Sequence, residues 1–295
     1  MSLGLEVVTT ATAAQSLLWL EDHARAQRSD GEPVPARLHH GITLENVSFG
    51  YPGTGTPVLR EVDRFLPAGR TVAIVGENGA GKSTLVKLLT GMYPPSGGRI
   101  LLDDADLAGI DRRAWRGCIA AAFQDFVTWH LLAGQTVGIG DLPRLDDTAA
   151  VHTALERAAG SGVIGELPAG LATPLGKSFE GGTELSGGQW QKLALGRAMM
   201  RDHPLLLVLD EPTASLDAPT EDALFRRYLA AARRTAAESG AVTILVSHRF
   251  STVRVADLIV VVDDGRVSEA GDHATLLAAG GLYAELFELQ ARAYR

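Results

Sequence analysis

The stretch Thr71-Val72-Ala73-Ile74-Val75-Gly76-Glu77-Asn78-Gly79-Ala80-Gly81-Lys82-Ser83-Thr84 decides how this chain folds. Its opening run is apolar and predicts a strand buried on both faces. Gly76 to Ser83 then satisfies the spacing G-x-x-x-x-G-K-[ST], and Leu85, Leu88 and Leu89 open a helical pattern behind it. Glycines at 76, 79 and 81 let backbone N–H groups curl around a polyphosphate, and the helix start adds its partial positive charge. Lys82 is expected to bridge the β and γ phosphates and the Ser83 hydroxyl to hold Mg²⁺. Gly76, Glu77, Asn78, Gly79, Ala80, Gly81 and Thr84 complete the expected cradle. An ordinary glycine-rich turn is the alternative, and correct flanks on both sides weigh against it.

Further short apolar runs at 118–123, 205–209, 242–246 and 258–262 join 72–75 as strands of a mainly parallel sheet. Between 118–123 and 205–209 helical patterns at 148–159 and 188–200 predict an inserted helical lobe, about 126–200. Upstream, Ile42, Leu44, Val47 and Phe49, then Val58, Leu59, Val62 and Phe65, read as an antiparallel N-terminal sheet broken at Pro52-Gly53 and Pro67-Ala68-Gly69. After an Asp264-Gly265 turn, two amphipathic helices are expected, near 275–279 and 282–293. Residues 1–28 carry a helical stripe through Leu3, Val7, Thr10, Ala14, Leu17 and Leu18, and the turn-formers of 29–40 read as a linker. The expected fold is α/β, with one large domain over 41–295.

The composition narrows the function. Of 295 residues 46% are hydrophobic, and 27 Lys and Arg stand against 35 Asp and Glu, a net charge of −8. Such a chain buries a core rather than staying disordered, and with no basic run it presents no nucleic-acid surface. The single cysteine, Cys118, excludes a disulfide framework, fits a reducing compartment and reads as a small buried hydrophobe. No stretch approaches the roughly eighteen apolar residues of a membrane-spanning helix. The segment 7–20 lacks the basic flank of a signal peptide. The chain is therefore expected to be soluble and not to cross a bilayer by itself.

A second carboxylate partner is expected at the end of another buried strand, and Leu205-Leu206-Leu207-Val208-Leu209-Asp210-Glu211 supplies it. Asp210 would organise the Mg²⁺ shell. Glu211, beside it, is placed to orient an attacking water and accept its proton. In isolation the pair would read as solvated acids after a strand.

Leu185-Ser186-Gly187-Gly188-Gln189, opening a helix upstream of Asp210-Glu211, resembles the signature of ABC-type ATPases. Ser186 and the N–H groups of Gly187 and Gly188 at a helix start form another anion site. The resemblance implies ATP as ligand and a head-to-tail dimer, each nucleotide lying between one subunit's phosphate loop and the other's Ser186 to Gln189 turn. It further implies that Tyr51 stacks on adenine and that Gln124 touches Mg²⁺ and the attacking water. Asp217, in Ser215-Leu216-Asp217, would lie in a loop crossing the dimer seam, and His248 would contact the γ-phosphate. A homodimer or an unlike second nucleotide-binding domain is equally compatible with these motifs.

From Ile42 to the C-terminus the likeness is nearest to the nucleotide-binding domains of exporters, on Val47-Ser48-Phe49-Gly50-Tyr51-Pro52, Ser247-His248-Arg249-Phe250-Ser251-Thr252-Val253 and Gly271-Asp272-His273. This implies a transmembrane domain in the same polypeptide, with residues 5–21 as the cytosolic tail of its last helix and the present chain as an excised domain. The expected location is the cytoplasmic face of the plasma (inner) membrane. One departure stands before the signature, where Lys177 replaces the acidic residue usual after Gly176. The aromatic patch Phe126-Val127-Thr128-Trp129-His130-Leu131 is expected to dock on the membrane partner's loops. The alternative, a non-transport ABC ATPase acting on nucleic acid or ribosomes, is opposed by the net charge, the single motif set and the absence of a heptad tract.

Overall fold

Strand β1 (Gly41–Phe49) pairs antiparallel with β2 (Leu59–Pro67) on one side and β4 (Gly97–Leu102) on the other, and β5 (Ala105–Asp106) continues the edge. Leu44 and Val47 both face the core although three positions apart. A bulge makes this possible: three steps on β1 oppose two on β2, from Arg64 to Val62, with Asn46 at φ 49°. The computed structural model describes residues 31–211, 228–230, 233, 234, 236–247 and 249–293, together with Gln15 and Leu18.

The second sheet has the order β10-β9-β3-β8-β7-β6. Strands β3 (Thr71–Val75), β6 (Ile119–Ala122), β7 (Leu206–Asp210), β8 (Val242–Val246) and β9 (Leu258–Asp263) run parallel, and β10 (Arg266–Gly271) returns antiparallel to β9. Every residue of β3, β7 and β8 is buried, which is why their sequences are unbroken apolar runs rather than alternating ones. On β3, Val72 and Ile74 enter the core shared with the antiparallel sheet and α1 (Lys82–Leu89). Ala73 and Val75 enter a second core with the helical lobe.

That lobe comprises α3 (Ala133–Gly138), α4 (Thr148–Arg157), α5 (Ser161–Gly165) and α6 (Gly187–Ala198). Ahead of it α2 (Arg112–Gly117) buries Trp115, whose Nε1–H donates to the Leu89 carbonyl at 3.1 Å. After β8 come α7 (Phe250–Val253), then α8 (His273–Ala279) and α9 (Leu282–Ala293). Among the described residues no helix is long and apolar enough to cross a membrane.

Three expectations need correction. The Asp264-Gly265 turn leads into β10 before any helix, because Arg266–Gly271 is held by pairing with β9 while most of its residues stay half-exposed. Strands β4 and β5 were likewise not expected. Cys118 lies outside β6, as the C-cap of α2; it is half-buried, and burial pushes its thiol pKa up. Residues 31–40, the described part of the expected 29–40 connection, pack against the fold: Glu32 pairs with Gly109 and Asp111, Leu38 is 1% exposed, and its N–H donates to Ser239. Of residues 1–28 only Gln15 and Leu18 fall within the described set, both helical.

Candidate active site

The carboxyl ends of β3, β6, β7 and β8 open into one cleft, where α/β sheets generally hold their ligands. A cavity of about 200 Å³ is lined there by Asn78, Gly79, Gly81, Lys82, Ser83, Thr84, Gln124, Asp210 and Glu211, with Val58 and Val246. Residues from five separate parts of the chain thus meet around one volume.

The loop's shape follows from its glycines. Gly76 has φ 147°, and a Cβ there would lie 2.1 Å from the Val262 carbonyl oxygen, so no side chain fits. Gly81, the N-cap of α1, is left-handed at φ 110°. Ala80 is buried, Glu77 is exposed, and Gly76 is half-buried. Lys82 Nζ donates to the carbonyls of Gly76 and Glu77 at 2.9 and 2.7 Å, which holds the cation inside the loop's curve. Burial lowers its pKa, against the opposing pull of Glu211 and Asp210.

Asp210, at the end of β7, is 8% exposed and its pKa is pushed up to about 6, first by burial and then by Glu211 and Asp125. The cleft therefore carries surplus negative charge that a cation would relieve. Ser83, Gln124 and Asp210 offer a hydroxyl, an amide oxygen and a carboxylate, the oxygen donors a hard divalent ion takes. Among the described residues no group of three or more His, Cys, Asp and Glu gathers for a metal. One carboxylate with neutral oxygens suits Mg²⁺, which keeps waters and shares substrate phosphates rather than needing a protein cage. Glu211 itself sits at φ 46°, unusual for a residue with a side chain, and its N–H donates to Val246 at 2.9 Å.

Tyr51 reaches the same helix from the antiparallel sheet. Its hydroxyl lies 3.1 Å from Thr84 Oγ1, Lys87 Nζ stands 5.6 Å from its ring centroid, and Phe49 and Tyr93 pack edge-on at 5.1 and 5.5 Å. Ser186 caps α6 through a reciprocal pair: Gln189 N–H donates to Ser186 Oγ at 3.3 Å and Ser186 N–H to Gln189 Oε1 at 2.9 Å. Gln189 Nε2 also donates to Glu166 at 3.0 Å. Ser186 and Gly187 are exposed, Gly188 and Gln189 half-buried, and none of the four lines the Lys82 cavity. Asp217 and His248 lie outside the described residues. Sequence reasoning missed Asp125, whose charge helps raise the Asp210 pKa, and Lys87, over Tyr51; the position of Asp125 next to Gln124 was the available signal.

The family model of the ABC transporter matches residues 59–214, spanning both the phosphate loop and Asp210. The chain belongs to the ABC transporter family. Within this ABC family it is 41% identical over 281 residues to the ATP-dependent lipid A-core flippase of Cupriavidus pinatubonensis, covering 95% of this chain and 46% of that protein. It is 34% identical to the subtilin transport ATP-binding protein SpaT of Bacillus subtilis, covering 90% of this chain and 42% of the relative. Among solved structures, a bacterial Atm1-family ABC exporter with ATP bound superposes with a TM-score of 0.76 at 35% identity, covering 89% of this chain and 44% of that one. This ABC chain thus spans less than half the length of these relatives. It carries the ABC ATPase fold.

Proposed function

We propose that this chain is the nucleotide-binding engine of an exporter, hydrolysing ATP at a composite site made by two copies or by one copy and an unlike partner. The observation that carries the proposal is the separation, within one protomer, of two phosphate-binding ends: the Lys82 cleft and the exposed Ser186 turn on α6. Each has N–H donors at a helix start, and a triphosphate bridging two protomers engages both.

In this reading the loop N–H groups from Gly76 to Thr84 wrap the phosphates, and Lys82 leaves the Gly76 and Glu77 carbonyls for the β and γ phosphate oxygens. Ser83, Gln124 and Asp210 would hold Mg²⁺, which neutralises charge on the phosphates. Water attacks the γ-phosphorus, the bond to the ADP oxygen breaks, and the water's proton passes to Glu211. Tyr51 holds the adenine by its ring, and Ser186, Gly187, Gly188 and Gln189 of the other subunit cover the γ-phosphate. Asp217 and His248 act at the seam.

We assign residues 41–295 to the nucleotide-binding domain, with its helical lobe about 126–200, residues 1–28 to the tail of a preceding membrane helix, and 29–40 to the connection between them. The partner is a transmembrane domain of the same polypeptide, at the cytoplasmic face of the plasma membrane, and it docks beside Gln124, where Val127 and Trp129 are exposed. Nucleic acid is not among the partners. The test is the order of the reaction: hydrolysis at saturating ATP should rise with the square of protein concentration at low concentration. A rate strictly proportional to protein would sink the composite site.

A further inference from the structure

The segment that follows Gln124 lies alongside the segment that precedes the Ser186 turn. Leu175 N–H donates to the Leu131 carbonyl and Ala133 N–H to the Thr173 carbonyl, both at 2.9 Å. His130 stands beside this ladder with contacts in two directions. Its Nδ1 is 2.6 Å from Ser178 Oγ, and its ring stacks on Trp190 with centroids 6.4 Å apart and planes 26° from parallel. The ring also packs against the backbone of Gly176, where an added Cβ would lie 2.3 Å from His130 Cδ2.

These contacts fall on both flanks of the signature pentapeptide. Gly176 and Ser178 belong to the loop that closes on itself through Gly176 N–H to Thr183 and Thr183 N–H to Pro174, both 2.9 Å, and then enters the pentapeptide. Trp190 follows Gln189 directly, in the first turns of α6, and is 8% exposed. Arg197, farther along α6, donates from both terminal nitrogens to the Val127 carbonyl at 3.3 Å, so the loop carrying His130 is fastened to the same helix twice. An imidazole suits the place because one flat ring supplies both a hydrogen-bonding nitrogen and a stacking face.

We propose that His130 is a positioning residue for the signature turn: bridging Ser178 before the turn and Trp190 after it, it holds Ser186 to Gln189 in the pose that meets the nucleotide of the opposite subunit. This rests on the composite-site reading. A residue acting in this way serves the partner's nucleotide and not its own protomer's, so its loss should change turnover while leaving the protomer's own ATP pocket alone.

The test compares His130→Ala, Ser178→Ala and the double variant with the parent, by steady-state hydrolysis, ATP affinity of the dilute protomer and thermal midpoint. Each single variant is expected to lose about five- to tenfold in kcat, with the protomer's ATP affinity kept within about twofold and the midpoint unchanged. The double variant should be no worse than the more affected single one, since the two groups act as one contact. Unchanged kcat, additive losses, or a kcat loss matched by weaker protomer binding or a lower midpoint would overturn the proposal. Ser178→Ala removes a single exposed hydroxyl, so it decides the matter should His130→Ala not fold. The reaction order of the parent separates the two readings: second order with unaffected variants overturns His130 alone, whereas first order overturns the composite site and His130 with it.

Discussion

The backbone N–H of Glu211 donates to the Val246 carbonyl at 2.9 Å, a bond that reaches from the end of β7 to the end of β8. It holds Glu211 in a left-handed turn, at φ 46°, immediately after the buried Asp210. A backbone position of this kind costs on the order of 1–3 kcal/mol and persists only where the surroundings enforce it. Here two fully buried strands do so, and the two carboxylates are set side by side in the cleft.

Glu211→Gln removes the proton acceptor while keeping the side chain's size. It is expected to lower kcat by about 10²- to 10⁴-fold, with ATP still bound and an ATP-bound dimer accumulating on gel filtration. Phosphate release at the parent rate would remove Glu211 from the role of base.

Lys82→Ala takes away the cation that the Gly76 and Glu77 carbonyls hold in the loop. A charged hydrogen bond of this type is worth about 1.5–3 kcal/mol, so the Kd for ATP should rise about 10- to 100-fold by titration calorimetry. Lys82 also pulls the Asp210 pKa down. Its removal should leave that carboxyl harder still to ionise, and an unaltered ATP affinity would contradict the assignment.

Two glycines of the loop separate space from backbone geometry. Gly76→Ala drives a Cβ into the Val262 carbonyl and should cost about 2 kcal/mol or more, whereas a Cβ at Gly79 meets nothing within 4 Å. Gly79 still has φ 85°, so Gly79→Ala should cost about 1 kcal/mol. Equal losses in urea unfolding would refute the steric account of Gly76.

Tyr51→Ala should raise KM for ATP about tenfold through the lost stacking face. Tyr51→Phe keeps the ring and gives up the hydroxyl's contacts with Thr84 Oγ1 at 3.1 Å and Lys87 Nζ at 3.4 Å, and should stay within about threefold. A large KM change for Phe would move the weight from the ring to the hydroxyl.

Asp202 accepts from Arg144 at 2.5 Å and Arg157 at 2.9 Å, binding the segment after α6 to the helical lobe. Burial raises its pKa, but these bonds win and the folded value lies below the ordinary 3.8. The depressed folded value means that the stabilisation is complete above pH 3.8 and disappears as pH falls through the folded value. Asp202→Asn should therefore cost about 0.5–1 kcal/mol near neutrality, kept small by solvent screening, and should flatten the acid limb of the thermal midpoint. An unaltered acid limb would show that the pair contributes nothing.

The parts of the fold written in the sequence are those whose cause is local. Thr71–Val75, Leu206–Asp210 and Val242–Val246 read as strands because each is buried on both faces and hence apolar throughout. Arg266–Gly271 did not, since nothing in a polar, half-exposed run marks it as a strand until β9 lies beside it. The two-residue edge strand β5 escaped for the same reason, and β4, which lies between β1 and β5, escaped because its Gly97-Gly98-Arg99 start carries no apolar alternation. Ser186, whose cap partner Gln189 is three positions away, was legible as a helix start, while the stacking of His130 on Trp190 across the lobe was not.

By itself, the order of residues determined the phosphate loop, the apolar strands and the family, because spacing within a turn of helix or a single strand is enough to impose them. Tertiary structure alone decided that Lys82, Gln124, Asp210 and Glu211 share one cavity, that Asp125 presses on Asp210, and that the Ser186 turn stays out of that cavity. The physical reason is that charge, burial and shared volume depend on distance in space, and strand order in the sheet, rather than position along the chain, sets those distances.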